Sequence, residues 1–371
     1  MGSDLLYKIA LTQIRGVGPM EGRAIMDFYD GAEGLFRETA EGIAKLKTPI
    51  PDLADQVLSG AALEKAKQEL DFMDKYGIRA LDTESSEYPY RLKECPDAPI
   101  VLFCKGNATL NGQHMVGMVG TRRSTDYGRT LAVKLVEDLA GKVADVTIVS
   151  GLAEGIDGIS HKAALTSSVP TVAVVAHGLD MIYPSCHRDL AAEILEKGGG
   201  IVSEYVSGVK SLPVHFLARN RIIAGLSDAL VVVETAYKGG SQNTAATASS
   251  YNRDVFAFPG RVGDSRSEGC NNLIKTSRAG MIENAADLIK AMGWRERTFR
   301  ADQGKQKDLF PDISEDDKEV MALLHKNTDG LQINQIAMEL GRPVSATSAH
   351  LMQMEFAGLV RCLPGNLYKL S

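Results

Sequence analysis

This chain of 371 residues is poor in the features that mark several protein classes. It has five cysteines (Cys95, Cys104, Cys186, Cys270, Cys362), scattered and without a CxxC pair. That spacing excludes a disulfide framework and a structural zinc site, and all five are expected as buried free thiols. No apolar run approaches the roughly 18–20 residues that cross a bilayer. The opening stretch MGSDLLYKIALTQIRG lacks a basic region followed by an apolar one, so no secretion signal is read and a cytoplasmic location is expected. Neither GxGxxG nor GxxxxGK[ST] occurs, which excludes the dinucleotide fingerprint and the P-loop. His177, His187 and His215 have no metal-ligand spacing, and no cofactor or metal is expected.

An excess of positive charge is also missing. The net charge is −6, which argues against a nucleic-acid partner when taken as a sum. The distribution argues otherwise. Residues 115–290 hold 18 basic and 18 acidic side chains. Their arginines gather at loop and helix-start positions, Arg122 with Arg123 and Arg219 with Arg221. A local basic pocket is therefore compatible with an acidic protein.

What is present is alternation. From Met115 to about Met292 apolar runs, glycine turns and helical stretches repeat. Strands are expected at Met115–Val119, Thr147–Val149, Thr171–Ala176, Gly200–Val202, Ala229–Val233 and Val255–Phe258, with helices between. Near-continuous apolar strands separated by helices predict an α/β fold, a Rossmann-like doubly wound parallel sheet covered on both faces. Residues 1–80 read as a small helical domain, in which IRGVGPMEGRAI has the glycine turn of a helix–hairpin–helix. Such a turn either contacts a phosphate through backbone N–H groups or simply joins two packed helices. Within the expected sheet domain, 81–294, the stretch up to residue 114 is a connector with one edge-strand candidate, Ile100–Phe103. Residues 295–313 read as a linker, and 314–371 as three helices and a hairpin around Pro364-Gly365, a winged helix. The third helix of that unit, Ser345–Gly358, has no Lys or Arg. A protein contact is thus expected of it rather than duplex reading.

Four glycine loops follow expected strands, at the carboxyl edge where such sheets bind ligands. VGTRRSTDYG offers the Thr121 hydroxyl and the planar forks of Arg122 and Arg123, suited to phosphate or base edges. SGLAEGIDGISH has Gly151 and Gly155. HGLDMIYP carries Gly178 and an aromatic, Tyr183, able to stack on a base. KGGSQNT, after Glu234, opens a helix with Ser241 and Thr244 near its N-terminus, a place that favours anions. Two groups invite a catalytic reading. Glu234 ends a buried strand beside a glycine loop, without a partner nucleophile, and reads as a capping or loop-ordering acid. His161 follows Asp157 by four residues and reads as its local hydrogen-bond partner.

In order, the motifs VGTRRSTDYG, SGLAEGIDGISHKAAL, HGLDMIYP, IVSEY, FLARNRIIAGLSDALVVVE, GGSQNTA, FAFPG and NNLI resemble the DNA-processing protein A (DprA/Smf) family over roughly Tyr88 to Ile289. The resemblance implies a non-catalytic protein that binds and protects single-stranded DNA, loads the RecA recombinase on it during natural transformation, and forms a homodimer through its Rossmann-like domain. It implies a DNA pocket at Thr121, Arg122, Arg123, Gly178, Tyr183, Ser241 and Thr244, which the cations Arg219 and Arg221 would enlarge. The chain departs from the family pattern at Leu217, His187, Arg278 and the GGSQNTA loop. That loop also resembles the PGGxGT loop of nucleotide phosphoribohydrolases, an alternative in which nucleoside monophosphates are the substrates.

Overall fold

A computed structural model describes residues 2–47, 49–296, 314–327, 330–363 and 367–370. Two compact units divide the chain, Met1–Thr298 and Phe299–Ser371.

The first unit opens with six helices: α1 (Gly2–Thr12), α2 (Pro19–Tyr29), α3 (Ala32–Arg37), α4 (Ala40–Ile43), α5 (Leu53–Leu58) and α6 (Ala61–Tyr76). Strand β1 (Ile78–Asp82), helix α7 (Tyr90–Lys93) and strand β2 (Val101–Gly106) lead to the alternating part. That part runs β3 (His114–Val119), α8 (Asp126–Lys142), β4 (Val146–Ser150), α9 (Ile156–Thr166), β5 (Thr171–Val174), α10 (Arg188–Glu196) and β6 (Gly200–Ser203). It continues with α11 (Pro213–Leu226), β7 (Ala229–Val232), α12 (Gly240–Ser250), β8 (Asp254–Ala257), α13 (Glu268–Lys275), β9 (Gly280–Met281) and α14 (Ala285–Met292).

One nine-stranded sheet results, ordered β1-β2-β6-β5-β4-β3-β7-β8-β9. All seven strands from β6 to β9 in that order are parallel, and β2 and β1 add on antiparallel. Successive strand residues feed opposite cores, as a period of two requires. Met115, Val149 and Leu230 join the layer under α11, α12 and α13, whereas Val116, Ile148 and Val231 join the layer under α8, α9 and α14. Burial of both faces explains why these strands read as unbroken apolar runs.

Two features differ from the sequence reading. The edge-strand candidate is an internal strand: β2 lies between β6 and β1. Its cover, β1, carries Arg79 and Asp82 within five residues and presents no apolar run to read. The cysteines also split, with Cys95, Cys104 and Cys270 buried and Cys186 and Cys362 exposed.

In the second unit α15 (Glu315–Lys326), β10 (Leu331–Gln332), α16 (Ile333–Glu339), α17 (Val344–Phe356), β11 (Val360–Leu363) and β12 (Leu367–Leu370) close on Val320, Leu324, Ile336, Leu351, Met354 and Val360. The order of elements is that of a winged helix, and β11 and β12 form its hairpin. Both Pro364-Gly365 and the expected linker from 297 onward lie outside the described residues.

Candidate functional site

Strand order reverses at β3: β4, β5 and β6 lie to one side of it and β7, β8 and β9 to the other. Loops leaving the carboxyl ends of β3 and β7 therefore diverge and leave a crevice, the usual ligand position in such sheets. A cleft of about 630 Å³ opens there, roofed by the start of α11.

The walls are stitched together by backbone. Thr121 N–H donates to the Glu234 carbonyl at 2.7 Å, joining the loop after β3 to the end of β7. The Thr121 carbonyl accepts from Ile156 N–H at 3.2 Å, joining the same loop to the start of α9. Gly155 makes this approach possible. Its φ is +78°, and a Cβ there would lie 2.6 Å from the Arg122 carbonyl carbon.

Glu234 is buried and fully engaged. Its two carboxylate oxygens accept from Thr125 N–H at 2.8 Å and from Thr125 Oγ1 at 2.7 Å. Thr125 in turn caps α8, its Oγ1 accepting from Gly128 N–H. Glu234 thus orders the loop that carries Arg122 and Arg123.

Phe216, on the first turns of α11, organises the cleft. The Arg122 guanidinium carbon sits 4.8 Å from its ring centroid and that of Arg219 sits 5.8 Å away. The Tyr183 ring lies 5.8 Å from it at a tilted angle. Two cations and two rings therefore share one patch, an arrangement that favours a flat, anionic ligand. Tyr183 is 43% exposed and free to stack.

Arg219 is buried beneath this patch. Its Nε donates to Asn220 Oδ1, and its Nη1 to the carbonyls of Gly151 and Val174. None of these bonds uses Nη2. Burial pushes its pKa down to about 10, with the Asp157 carboxylate opposing the fall and the Arg122 charge adding to it. It stays charged at neutral pH. Burial raises the Asp157 carboxyl above its usual range, although Arg219 and the Ala153 N–H at 3.4 Å favour its ionised form. Gly151 leaves the space for the guanidinium: a Cβ there would lie 2.6 Å from it.

Of the nine residues expected in the site, Thr121, Arg122, Tyr183, Arg219, Ser241 and Thr244 line this cleft. Ser241 and Thr244 are nearly buried, and Ser241 Oγ donates to Thr235 Oγ1 at 2.7 Å. Arg123 lies next door, in a second cleft that shares Arg122. Gly178 is not in the cleft. It packs against the chain at Val206–Ser207, and its N–H donates to the Val209 carbonyl. Arg221 is not there either. It points to the other side of α11 and pairs with Glu204 and Asp97.

One local reading changes, and one open alternative narrows. The imidazole of His161 ignores Asp157 and meets Thr171 Oγ1 at 2.7 Å. Burial pushes its pKa down to about 3, with the His187 and Arg219 charges adding, so it is neutral. In the helix–hairpin–helix turn, the Gly18 N–H already donates to Glu21 Oε2 at 3.1 Å, and the Arg15 N–H to Gln56 Oε1 at 2.8 Å. Both amides already have acceptors, which favours the plain turn between helices. Phe216 is the residue that sequence reasoning missed. It lies in a quoted motif, but one aromatic among aliphatic neighbours gives no sign of which face it takes.

Comparison with known proteins adds to this geometry. The family model for DNA recombination-mediator protein A matches residues 79–293, and that for the DprA winged helix domain matches 306–366. Protein Smf of Escherichia coli (strain K12) is 34% identical over 299 residues, 78% of this chain and 77% of that protein. The X-ray structure of DNA processing protein A from Streptococcus pneumoniae aligns with a TM-score of 0.61 at 30% identity, covering 77% of this chain and 96% of that one. DNA processing protein A from Helicobacter pylori, whose structure was described for its unique single-stranded DNA binding mode, aligns at 0.53 and 31% identity. There the coverage is 58% of this chain and 96% of that one.

Proposed function

The chain belongs to the family of DNA recombination-mediator protein A, and on that premise we propose that its cleft binds single-stranded DNA without chemistry. The observation that carries this is the convergence of Arg122, Arg219 and Tyr183 on Phe216 in one open cleft. Unpaired bases offer π-faces to the rings and phosphates offer charge to the arginines. A duplex hides those faces. The similarity to the Helicobacter pylori protein, with its single-stranded DNA binding mode, supports the same reading. In this proposal the protein works in the cytoplasm during DNA uptake, shields the incoming strand, acts as a homodimer through the sheet domain, and passes the strand to the RecA recombinase. The winged helix serves contacts with protein: α17 has no Lys or Arg and exposes Met352 and Phe356.

Release of a base from nucleoside monophosphates would need a free carboxylate at the end of β7. Thr125 holds both oxygens of Glu234, which weighs against that alternative.

The test is binding of labelled oligo-dT and of an equally long duplex to the full chain, across a salt series. Preference for the single strand is expected, with a log–log slope of about −0.7 for each phosphate neutralised. Arg122→Ala/Arg123→Ala is expected to weaken binding by at least ~2 kcal/mol, from two charge-assisted contacts. Equal affinity for the duplex, or a flat salt response, would sink the proposal.

A further inference from the structure

The loop after β3 has cationic space on both sides. Beyond Arg122, away from Phe216, a second cleft of about 390 Å³ lies between the first turns of α8 and α9. Arg122 and Arg123 come from the loop, Arg129 from α8, Lys162 from α9, and the His187 imidazole closes one end. The floor includes the backbone of Gly155 and Gly158.

Its positive charge is in excess, with four cations to one carboxylate. Neither Arg122, Arg123, Arg129 nor Lys162 forms an ion pair among the described residues, although Glu154 lines the same cleft. Arg266 adds to the excess, donating from Nη1 to the Arg123 carbonyl. Some cations elsewhere are tied down, Lys8 by three carboxylates and Arg342 by two. Holding four cations around one hollow with a single carboxylate leaves an excess that favours an anion, and the N-termini of α8 and α9 border the same hollow. The early amides of α9 do not supply the site themselves, because Ile156 and Gly158 N–H donate to Thr121 and Ala153 carbonyls. Side-chain charge supplies it.

No Phe, Tyr or Trp lines this cleft, and its one ring, the His187 imidazole, lies against Gly158 and meets the Leu152 carbonyl at 2.9 Å, so it offers a base far less to stack on than the aromatic cleft does. We propose that it is a phosphodiester annex: it grips the sugar-phosphate backbone of the strand whose bases occupy the aromatic cleft, without reading bases. This rests on the function proposed above. Arg122, shared by both clefts, is the point where the strand passes from base contacts to backbone contacts. Strand length then matters: a short oligonucleotide fills the aromatic cleft alone, and a longer one reaches the annex.

The test compares the full wild-type chain with Arg129→Ala/Lys162→Ala, both exposed positions, on oligo-dT of about 5 and about 15 nucleotides, which span common single-strand site sizes. The longer strand is expected to lose roughly tenfold in affinity, with a salt slope shallower by about 1.4, the share of two phosphate contacts. The shorter strand is expected to bind the variant as it binds the wild type. A dT stretch of about 5 carrying an abasic tail should recover the affinity of the longer strand, because only backbone is held. Unchanged binding of the longer strand, an equal loss on the shorter one, or a tail that needs bases would each overturn the annex and leave the main cleft standing. Failure of the wild-type chain to bind either strand would instead remove the parent reading, and the annex with it.

Discussion

Replacing Phe216 by Ala tests the cleft at its centre. The ring holds Arg122 at 4.8 Å and Arg219 at 5.8 Å, and meets Tyr183 at 5.8 Å. Each cation over a partly exposed ring contributes about 0.5–1 kcal/mol, and the ring pair a similar amount. Those terms fix the geometry of the free protein. With a strand bound, loss of one stacking partner removes about 1–3 kcal/mol per base. Part of the cation energy is recovered when the arginines reach phosphate, so the terms do not add in full. A net loss of about 2–3 kcal/mol is expected, roughly 30- to 150-fold in Kd. Fluorescence anisotropy with labelled oligo-dT reads it directly. Phe216→Leu keeps the bulk and removes the π-face, so it should lose nearly as much. Since Phe216 is only partly buried, both variants should melt within a few degrees of wild type. Binding by Phe216→Ala within twofold of wild type would refute the stacking argument. Full affinity in Phe216→Leu would show that the ring only fills space.

Two further outcomes follow from the buried framework. Gly155→Ala places a Cβ against the Thr121–Arg122 backbone at a φ of +78°, costing about 1–3 kcal/mol of stability. Displacement of the arginine loop should weaken oligo-dT binding by roughly tenfold on the scale of 1.4 kcal/mol per decade. A variant with wild-type Tm and affinity would contradict that placement. The second outcome concerns His161, held down at about 3 in the fold and near 6.5 when unfolded. Between those values the unfolded chain binds the extra proton, so stability falls as pH drops below about 6.5. At pH 5 the loss attributable to this group is about 2 kcal/mol. His161→Gln should narrow the gap in melting temperature between pH 7 and pH 5, leaving a remainder from His177, which burial also pushes down. A gap of wild-type width would contradict a neutral buried His161.

The parallel core was legible because burial on both faces leaves a simple signature. A run such as Val146–Ser150 has no exposed side and no polar alternation. The two outer antiparallel strands were harder. Only β2 carries an apolar run, and what made it internal was β1, whose residues are mixed. At the candidate site, the carboxyl-edge rule picked out loops that line one cleft, but it could not orient a helix. Arg219 and Arg221 look alike in the string RNR, yet residues two apart on a helix face different ways. One lies under the cleft, and the other faces Glu204. The helix is apolar around most of its circumference, so periodicity gave no face to choose. Gly178 falls outside the cleft for a related reason: a glycine after a strand serves close backbone packing as readily as ligand approach, and here the neighbour is the 206–207 backbone.

The pairing of β1 with β2 has a practical consequence. All five residues of β1 pair with β2, from Ile78 opposite Lys105 to Asp82 opposite Val101. Lys8 of α1 reaches over to Asp82 and Glu84, so the helical region is clamped to the sheet at its outer margin. A shortened chain starting after residue 80 would lose most of that strand and uncover the β2 backbone, a row of unmet donors and acceptors beside Leu102 and Phe103. Such a fragment is a template for strand-to-strand association. Trimming the protein for crystallisation or binding work is better done from the other end, beyond residue 296, where the sheet has already closed.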